Sequence, residues 1–269
     1  TKKPLIGAAI VGQSGGPTAV INSSLYGVVS EGMRHPEAIE HVYGMINGIE
    51  GFLNGTVLDF AEALPGEKLD GLKVTPGAYL GSCRYKLPES LEDPVYPRLF
   101  KKFEEMNIGW FFYIGGNDSM DTVDKLSKYL NAKGITDITV VGAPKTIDND
   151  LCGTDHCPGF GSAAKYIGTT FAELERDCHV YATKAVTIVE VMGRDAGWLT
   201  AASCLARANG AKGPDFIYLC EVPFSIDTFL KDVKAKLEEQ DAVIIAVSEG
   251  VKNKDGRYIS EEVQSSAVD

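Results

Sequence analysis

The sequence has no Cys-x-x-Cys pair, although six cysteines are spread over its 269 residues. This spacing excludes the disulfide framework of a small secreted protein and predicts reduced thiols. A zinc site at Cys152, His156 and Cys157 is not expected either, because their spacing matches no common structural zinc site and no second ligand pair lies nearby.

Long hydrophobic runs and an excess of basic residues are also absent. Apolar runs such as Ala242–Val247 are far shorter than the roughly 20 residues of a membrane span, and no hydrophobic signal region follows Thr1. Lysine and arginine number 26 against 37 aspartates and glutamates, which disfavours general nucleic-acid binding. We therefore expect a cytoplasmic protein that binds neither membrane nor nucleic acid. Anionic small ligands are not excluded, since a site responds to local charge.

The sequence does contain a regular alternation of short apolar runs with longer amphipathic stretches. Strands are predicted at Leu5–Val11, His41–Tyr43, Trp110–Ile114, Ile138–Gly142, Ala185–Val191, Phe216–Leu219 and Ala242–Val247. Helices are predicted at Thr18–Met33, Asp118–Lys133, Gly161–Asp177, Gly197–Asn209 and Ser225–Gln240. The alternation predicts an α/β fold, with helices on both sides of a parallel sheet. The irregular segment Lys145–Gly161 places a boundary between domains 1–160 and 161–269.

Two glycine-rich loops follow predicted strands and precede predicted helices. They are Gly12–Thr18, which includes Gly15 and Gly16, and Gly115–Ser119, which includes Gly116, Asn117 and Asp118. Adjacent glycines let the backbone approach a ligand, and a helix N-terminus offers N–H groups to phosphate. The first loop lacks the Lys-Ser/Thr of a P-loop, so a plain tight turn is its alternative. Asp118 could cap its helix or hold Mg²⁺ beside bound phosphates.

A third polar cluster, Pro144–Asp150, also follows a predicted strand. Lys145 can neutralise a phosphate, while Asp148 or Asp150 can serve as a general base or a metal ligand. The alternative is a polar turn without a chemical role.

Two further clusters carry positive charge. Arg194, within Met192–Trp198, follows a predicted strand and is placed to meet a phosphorylated substrate, unless it is an ordinary exposed loop residue. Gly81–Lys86 is a basic cluster whose alternative is a solvated loop. A Gly-x-Gly-x-x-Ala pattern at Gly159 follows no strand, so we do not expect a dinucleotide site there.

Together these clusters resemble the 6-phosphofructokinase family. The matching segments occur in the family's order over nearly the whole chain: Gln13–Gly16, Leu80–Arg84, Gly115–Ser119, Lys145–Asp150 and Val189–Arg194. The resemblance implies two Rossmann-like three-layer α/β/α domains with mainly parallel sheets and an active site in the cleft between them. It also implies Mg²⁺-dependent phosphoryl transfer to fructose 6-phosphate by a homo-oligomer, a dimer or a tetramer. The donor would lie on the first domain and fructose 6-phosphate mainly on the second.

The resemblance, together with the loop chemistry, assigns roles to individual residues. Asp148 is implied as the general base for the sugar 1-hydroxyl, with Lys145 as the second catalytic residue. The residues implied to bind fructose 6-phosphate are Thr146, Asp148, Asp150, Met192, Gly193, Arg194 and Glu249. Those expected to bind the phosphoryl donor are Gly15, Gly16, Arg84, Gly116, Asn117, Asp118 and Lys145, with Asn117 and Asp118 as the metal ligands.

Two positions bear on the identity of the donor. ATP-using members of the family have glycine where this chain has Asp118 and Lys145. A glycine leaves room for the nucleotide α-phosphate, whereas Asp118 fills that space and repels it, and Lys145 balances the charge of compact pyrophosphate. We therefore predict the pyrophosphate-dependent branch. An ATP-dependent enzyme and a non-catalytic subunit of the same fold are the alternatives.

The chain also departs from the family pattern. Asn117 stands where the family usually has a metal-binding aspartate, so the metal contact would fall to Asp118 or Asp148. Ala185, with Lys184 beside it, stands where many members have a substrate arginine. The family's later arginine and histidine residues have no counterpart, so we expect the second domain to be truncated on its C-terminal side.

Overall fold

The computed structural model describes residues 5–266, which form two compact units. The first unit ends at Thr146 and the second begins at Ile147, whereas the sequence predicts a boundary after residue 160. The side chain of Ile147 packs against the core of the second unit. Asn149 donates to the carbonyl of Asp155 and accepts from the N–H of Cys157. These contacts attach the segment before residue 160 to the second unit.

The first unit is built on a five-stranded sheet in the order β3-β2-β1-β4-β5, in which only β3 is antiparallel to its neighbour. Its described elements are β1 (Gly7–Gln13), α1 (Ile21–Met33), β2 (Ile39–Met45), α2 (Gly48–Leu53), β3 (Val57–Asp59), α3 (Phe60–Ala63), a 3₁₀ helix (Gly66–Lys73), α4 (Val95–Glu105), β4 (Ile108–Gly115), α5 (Asn117–Lys133) and β5 (Thr139–Pro144).

The central strand β1 is buried along its whole length because helices cover both faces of this sheet. Ala8 and Ile10 point to the side of α2, α4 and α5, while Ala9 and Val11 point to the side of α1. This alternation is the period of two expected of a strand. The first unit is therefore a three-layer α/β/α sandwich, as predicted.

The order of the strands decides where a ligand can bind. From β1 the chain moves to β2 on one side and later to β4 on the other. The loops that leave β1 and β4 therefore separate and open a crevice at the carboxyl ends of these two parallel strands. The predicted glycine-rich loops lie at this point.

The second unit contains a three-stranded parallel sheet in the order β6-β8-β7. Its described elements are α6 (Phe160–Cys178), β6 (Ala185–Val191), α7 (Trp198–Ala202), a 3₁₀ helix (Ser203–Asn209), β7 (Phe216–Tyr218), α8 (Ile226–Glu239), β8 (Ala242–Ser248) and α9 (Ile259–Ser266). The predicted helix Gly197–Asn209 is thus a short α-helix that tightens into a 3₁₀ helix.

Strand β8 occupies the centre of this second sheet and is covered on both faces. Ile244 and Ala246 pack with α6 and α7, and Val243 and Ile245 pack with α8. The carboxyl ends of β6 and β8 are neighbours, and the N–H of Glu249 donates to the carbonyl of Val191 at 3.0 Å. The predicted Met-Gly-Arg segment leaves the sheet at this edge.

Candidate active site

A buried hydrogen-bond network fixes the loop that follows β1. The Nε2 of Gln13, a fully buried residue, donates to Asn22 Oδ1 at 2.9 Å, and Gln13 Oε1 accepts from the N–H of Leu80 at 2.9 Å. Asn22 donates in turn to the carbonyl of Thr75 and accepts from the N–H of Tyr79. Buried polar groups of this kind are stable only when paired. The network therefore ties the end of β1, the start of α1 and the segment 75–80 into one unit.

The same segment continues into the basic cluster, which lies against the glycine loop. The hydroxyl of Ser14 and the N–H of Gly15 both donate to the carbonyl of Cys83, each at 3.3 Å. The hydroxyl of Ser82 donates to the carbonyl of Gly15 at 2.6 Å. These bonds hold Ser82 and Cys83 against the glycine loop, and the exposed Arg84 follows directly after them.

Lys145 reaches this glycine loop from the end of β5. Its N–H donates to the carbonyl of Gly115 at 2.9 Å, and its ammonium donates to the carbonyl of Gly16. Only 4% of Lys145 is exposed, so this positive charge is held inside the crevice rather than in solvent. The structure thus brings Lys145 together with Gly15, Gly16 and Gly116, all of which were predicted as donor-binding residues.

The second glycine loop opens α5, as predicted, with Asn117 as the first helical residue. Asp118 is exposed in the first turn, and the Nζ of Lys86 lies 3.1 Å from its Oδ1. A carboxylate in the first turn of a helix interacts favourably with the helix dipole. Lys86 belongs to the basic cluster Gly81–Lys86 but was not predicted as a site residue, because only the fold places it next to Asp118.

Magnesium fits this donor set only together with phosphate oxygens. No group of three or more His, Cys, Asp or Glu side chains arranged for a metal occurs among residues 5–266. Mg²⁺ in proteins is commonly held by one or two carboxylates, with water and substrate phosphates completing its shell. Asp118 offers one such carboxylate at the mouth of the crevice. The residues present therefore suit a metal–phosphate complex better than a bare ion.

In the second unit, Asp148 is paired with the predicted substrate arginine. Arg194 Nε lies 3.7 Å from Asp148 Oδ2. Asp148 is 9% exposed, whereas the Arg194 side chain is 64% exposed. A carboxylate that is nearly buried beside a solvent-facing guanidinium is suited to exchange a proton with a bound hydroxyl while the arginine engages an anion.

The second unit contains a pocket of about 560 Å³ whose lining begins at Asn149, the residue after Asp148. It is lined by the loop from Asn149 to His156, which includes Asp150, and by the side chain of Trp198. Asn149 adopts a left-handed conformation, with φ at 58°, and its side chain closes the loop through the bonds to Asp155 and Cys157. Asp150 thus lines this pocket. Thr146 is the last residue of the first unit.

The loop Met192–Gly197 is shaped by Glu249. Glu249 Oε1 accepts the N–H of Gly193 at 2.9 Å and the N–H of Arg194 at 2.7 Å. Gly193 has φ at 145°, and a Cβ there would lie 2.3 Å from the carbonyl oxygen of Ala196, so no other residue fits without a shift. Met192 is exposed on the same loop. Glu249, Gly193 and Arg194 were predicted as one binding set, and the fold does bring them together.

Glu221 is a further contributor that the sequence did not reveal. Its Oε1 accepts the N–H of Gly197 at 2.7 Å and so holds the other end of the loop. Burial tends to raise the pKa of Glu221, but hydrogen bonds from backbone N–H groups, that of Gly197 foremost, outweigh it and leave the pKa below its ordinary value. No motif points to this residue, because it lies 24 positions away in an otherwise unremarkable turn.

All six cysteines are free thiols, and two of them, Cys83 and Cys157, are buried. Within residues 5–266, no helix is both long enough and apolar enough to span a bilayer.

Comparison with known proteins defines the class of protein to which this fold and these sites belong. The profile of the family described as Phosphofructokinase matches residues 8–269. The chain therefore belongs to the phosphofructokinase family, as the motifs predicted.

Individual relatives and one solved structure show which members of the family this chain resembles. The pyrophosphate–fructose 6-phosphate 1-phosphotransferase of Rhodospirillum rubrum is 41% identical over 266 residues, which are 97% of this chain and 63% of that protein. The sulfofructose kinase of Alkalicoccus urumqiensis is 36% identical over 90% of this chain and 60% of its own length. The crystal structure of a pyrophosphate-dependent phosphofructokinase from Nitrosospira multiformis superposes with a TM-score of 0.83 at 37% identity, covering 98% of this chain and 66% of that chain. This chain thus spans less than two thirds of the length of each.

Proposed function

We propose that this chain acts in the transfer of a phosphoryl group from pyrophosphate to the 1-hydroxyl of fructose 6-phosphate, which yields fructose 1,6-bisphosphate and phosphate. The observation that carries the proposal is the pair of charged side chains in the donor crevice, buried Lys145 at the Gly15–Gly16 loop and Asp118 at the start of α5. The similarity to the Rhodospirillum rubrum phosphotransferase supports the same reaction.

The donor crevice favours a compact anion for a physical reason. Lys145 supplies a positive charge that is largely shielded from water, where its attraction to phosphate oxygens is stronger than at the surface. Asp118 places a negative charge at the mouth of the crevice, where a nucleotide would continue beyond its terminal phosphates. Pyrophosphate ends before that point, and therefore gains the attraction without the repulsion. Gly116, Asn117 and the exposed Arg84 complete the donor-binding set in this proposal.

The acceptor is held by the second unit. Asp148 takes the proton of the sugar 1-hydroxyl as this oxygen attacks the phosphoryl group, with Arg194 close enough to stabilise the carboxylate. Because Oε1 of Glu249 is occupied by two backbone N–H groups, a sugar hydroxyl would bond to Oε2. The remaining residues assigned to fructose 6-phosphate are Thr146, Asp150, Met192, Gly193 and Arg194.

The donor-side groups stabilise the charge that develops on the transferred phosphoryl group. Lys145 and the N–H of Gly16 act as fixed positive poles, which require no reorganisation during the reaction. When bound with pyrophosphate and held by Asp118 and Asn117, Mg²⁺ supplies further charge neutralisation. The phosphoanhydride and the product ester differ modestly in free energy, so the reaction should run readily in both directions.

The setting of the enzyme is part of the proposal. We assign it to the cytoplasm, supported by its six free thiols. We expect a homo-oligomer, a dimer or a tetramer, with no nucleic-acid or membrane partner. The net charge of −11 is compatible with two anionic substrates because Arg84, Lys145 and Arg194 concentrate positive charge locally.

The role of Asp148 is tested with Asp148→Asn, which keeps the size of the side chain but removes the base. We expect the rate of phosphoryl transfer to fall about 100-fold or more, with little change in the affinity for fructose 6-phosphate. Asp137→Asn, an exposed change of the same chemistry in the loop before β5, is the matched control. Undiminished turnover in Asp148→Asn would show that another group is the base.

The donor preference is tested with the double variant Asp118→Gly and Lys145→Gly. Removing the mouth carboxylate and the buried ammonium should lower the use of pyrophosphate and raise the use of ATP. No gain in ATP use would contradict the reasoning.

Each reaction is run with fructose 6-phosphate and with its 6-sulfonate analogue, since one relative is named a sulfofructose kinase. Preference for the sulfonate would redirect the acceptor assignment.

A further inference from the structure

The backbone at Arg194 is held in an uncommon conformation. Its φ is 53°, in the left-handed region that residues other than glycine and asparagine rarely adopt. The side chain itself is 64% exposed, so packing does little to hold it. Apart from the contact with Asp148, the direction in which the guanidinium points is therefore set by the backbone around it. Glu249 accepts the N–H of Arg194 and so fixes the backbone on the N-terminal side of this residue. The backbone on its C-terminal side needs a separate contact.

The next residue, Asp195, is attached to a different part of the second unit. Lys252 Nζ lies 2.5 Å from Asp195 Oδ1, and the hydroxyl of Tyr258 donates to the same oxygen at 2.9 Å. The Lys252 ammonium also lies 4.5 Å from the centre of the Tyr258 ring, within the range of a cation–π interaction. Lys252 and Tyr258 are antiparallel bridge partners, so their backbones place both donors side by side.

The electrostatics of this cluster agree with its geometry. The hydrogen bond from Lys252, and then that from Tyr258, lower the pKa of Asp195 below its ordinary value, and Asp195 correspondingly raises the pKa of Lys252. The carboxylate and the ammonium are therefore both charged near neutral pH. Asp195 is separated by 57 residues from Lys252 and by 63 from Tyr258, so the cluster joins distant parts of the chain.

We propose that Asp195, Lys252 and Tyr258 form an anchor that positions Arg194 for the phosphate group of the acceptor. The inference rests on the proposed function, which assigns Arg194 to fructose 6-phosphate. With Glu249 fixing the N–H of Arg194 and the anchor fixing the following side chain, the left-handed turn is held from both sides. Release of the anchor lets Arg194 relax to commoner backbone angles and turns its guanidinium away from Asp148.

The anchor is tested by calorimetric titration of fructose 6-phosphate and of pyrophosphate into the chain and its variants. Lys252→Met should raise the Kd of fructose 6-phosphate about fivefold and Tyr258→Phe about threefold, while the Kd of pyrophosphate stays unchanged. Lys252→Arg should restore most of the affinity because it keeps a donor and a charge. Lys254→Met, an exposed change of the same kind two residues away, is the matched control and should bind as the parent does.

A double-mutant cycle separates positioning from a merely structural role. In an Arg194→Met background, Lys252→Met should have no further effect on the Kd of fructose 6-phosphate, since the residue it positions is gone. The anchor would be overturned if Lys252→Met raised the Kd of fructose 6-phosphate equally with and without Arg194. It would also be overturned if Arg194→Met weakened binding while the Lys252 and Tyr258 variants bound as the parent does. Unchanged binding in Arg194→Met alone would instead reject the acceptor site on which the inference rests.

Discussion

Lys125 on α5 offers a quantitative test of how the basic cluster is held beside the donor crevice. Its side chain is only 7% exposed, yet its ammonium has three partners. It lies 2.6 Å from Glu89, 2.7 Å from Asp121 and 3.1 Å from the carbonyl oxygen of Leu87. Leu87 and Glu89 directly follow Lys86, the last residue of the basic cluster. Lys125 therefore holds the end of this cluster against α5, whose first turn contains Asp118.

Replacing Lys125 with methionine keeps the apolar stem and removes the charge. Glu89 is 90% exposed and Asp121 is 49% exposed, so both return to water, and their lost ion pairs are worth about 0.2–1 kcal/mol each. The carbonyl of Leu87, a buried residue, loses its donor, which costs about 1–3 kcal/mol. These contributions total about 1.4–5 kcal/mol, so we expect destabilisation of about 3 kcal/mol, or a fall in Tm of about 6–12 °C.

The assay is thermal unfolding of the parent and the variant, followed by circular dichroism at one pH and salt concentration. Lys128→Met is the control, since it lies on the same helix and removes an ion pair between exposed side chains, at 2.6 Å to Asp124. That variant should unfold within about 2 °C of the parent. A Lys125→Met protein that unfolds together with the Lys128→Met protein would refute the reasoning.

Three further predictions concern the crevice and the Arg194 loop. Lys145→Met should lower kcat/KM for pyrophosphate by about 100-fold while calorimetry finds the Kd of fructose 6-phosphate unchanged; equal losses for both ligands would mean that Lys145 is mainly structural. Gly250→Ala would place a Cβ 1.9 Å from the carbonyl oxygen of Arg194, so the Arg194 loop must move. Fructose 6-phosphate should then bind at least about tenfold more weakly in calorimetry, and titration curves like those of the parent would contradict this. The lowered pKa of Glu221 implies stabilisation that is fully present above its unfolded pKa near 4.5 and is lost as pH falls through the folded value. Urea unfolding between pH 6 and pH 3 should therefore show a steeper loss in the parent than in Glu221→Gln, and parallel curves would contradict it.

The sequence predicted the sheets well because their strands are continuous apolar runs. The β6 and β8 predictions match the structure to within one residue, and both glycine loops lie at carboxyl ends of strands. Helix α4 is absent from the predicted helices, and its sequence contains a proline at position 97. Pro97 is tolerated because it lies in the first turn, where a missing N–H has no intrahelical partner. The short elements α2, β3, α3 and α9 carry too few residues to show a period.

The candidate site was predictable where a local motif carries the chemistry. Lys145 and Arg194 each stand in such a motif. The side chains that hold those motifs in place were not predictable, because their partners are distant in the chain. Asn22 reaches segment 75–79 across more than 50 residues, and no spacing rule encodes such a contact. Glu221 and Lys252 were missed for the same reason.

The most direct test of the central claim is the donor preference of the unmodified chain. With Mg²⁺ and fructose 6-phosphate held constant, kcat/KM is measured for pyrophosphate and for ATP under identical conditions. The charges at Asp118 and Lys145 predict a preference for pyrophosphate of at least about 100-fold, equivalent to about 2.7 kcal/mol of difference in transition-state binding. Equal use of both donors, or a preference for ATP, would contradict the account.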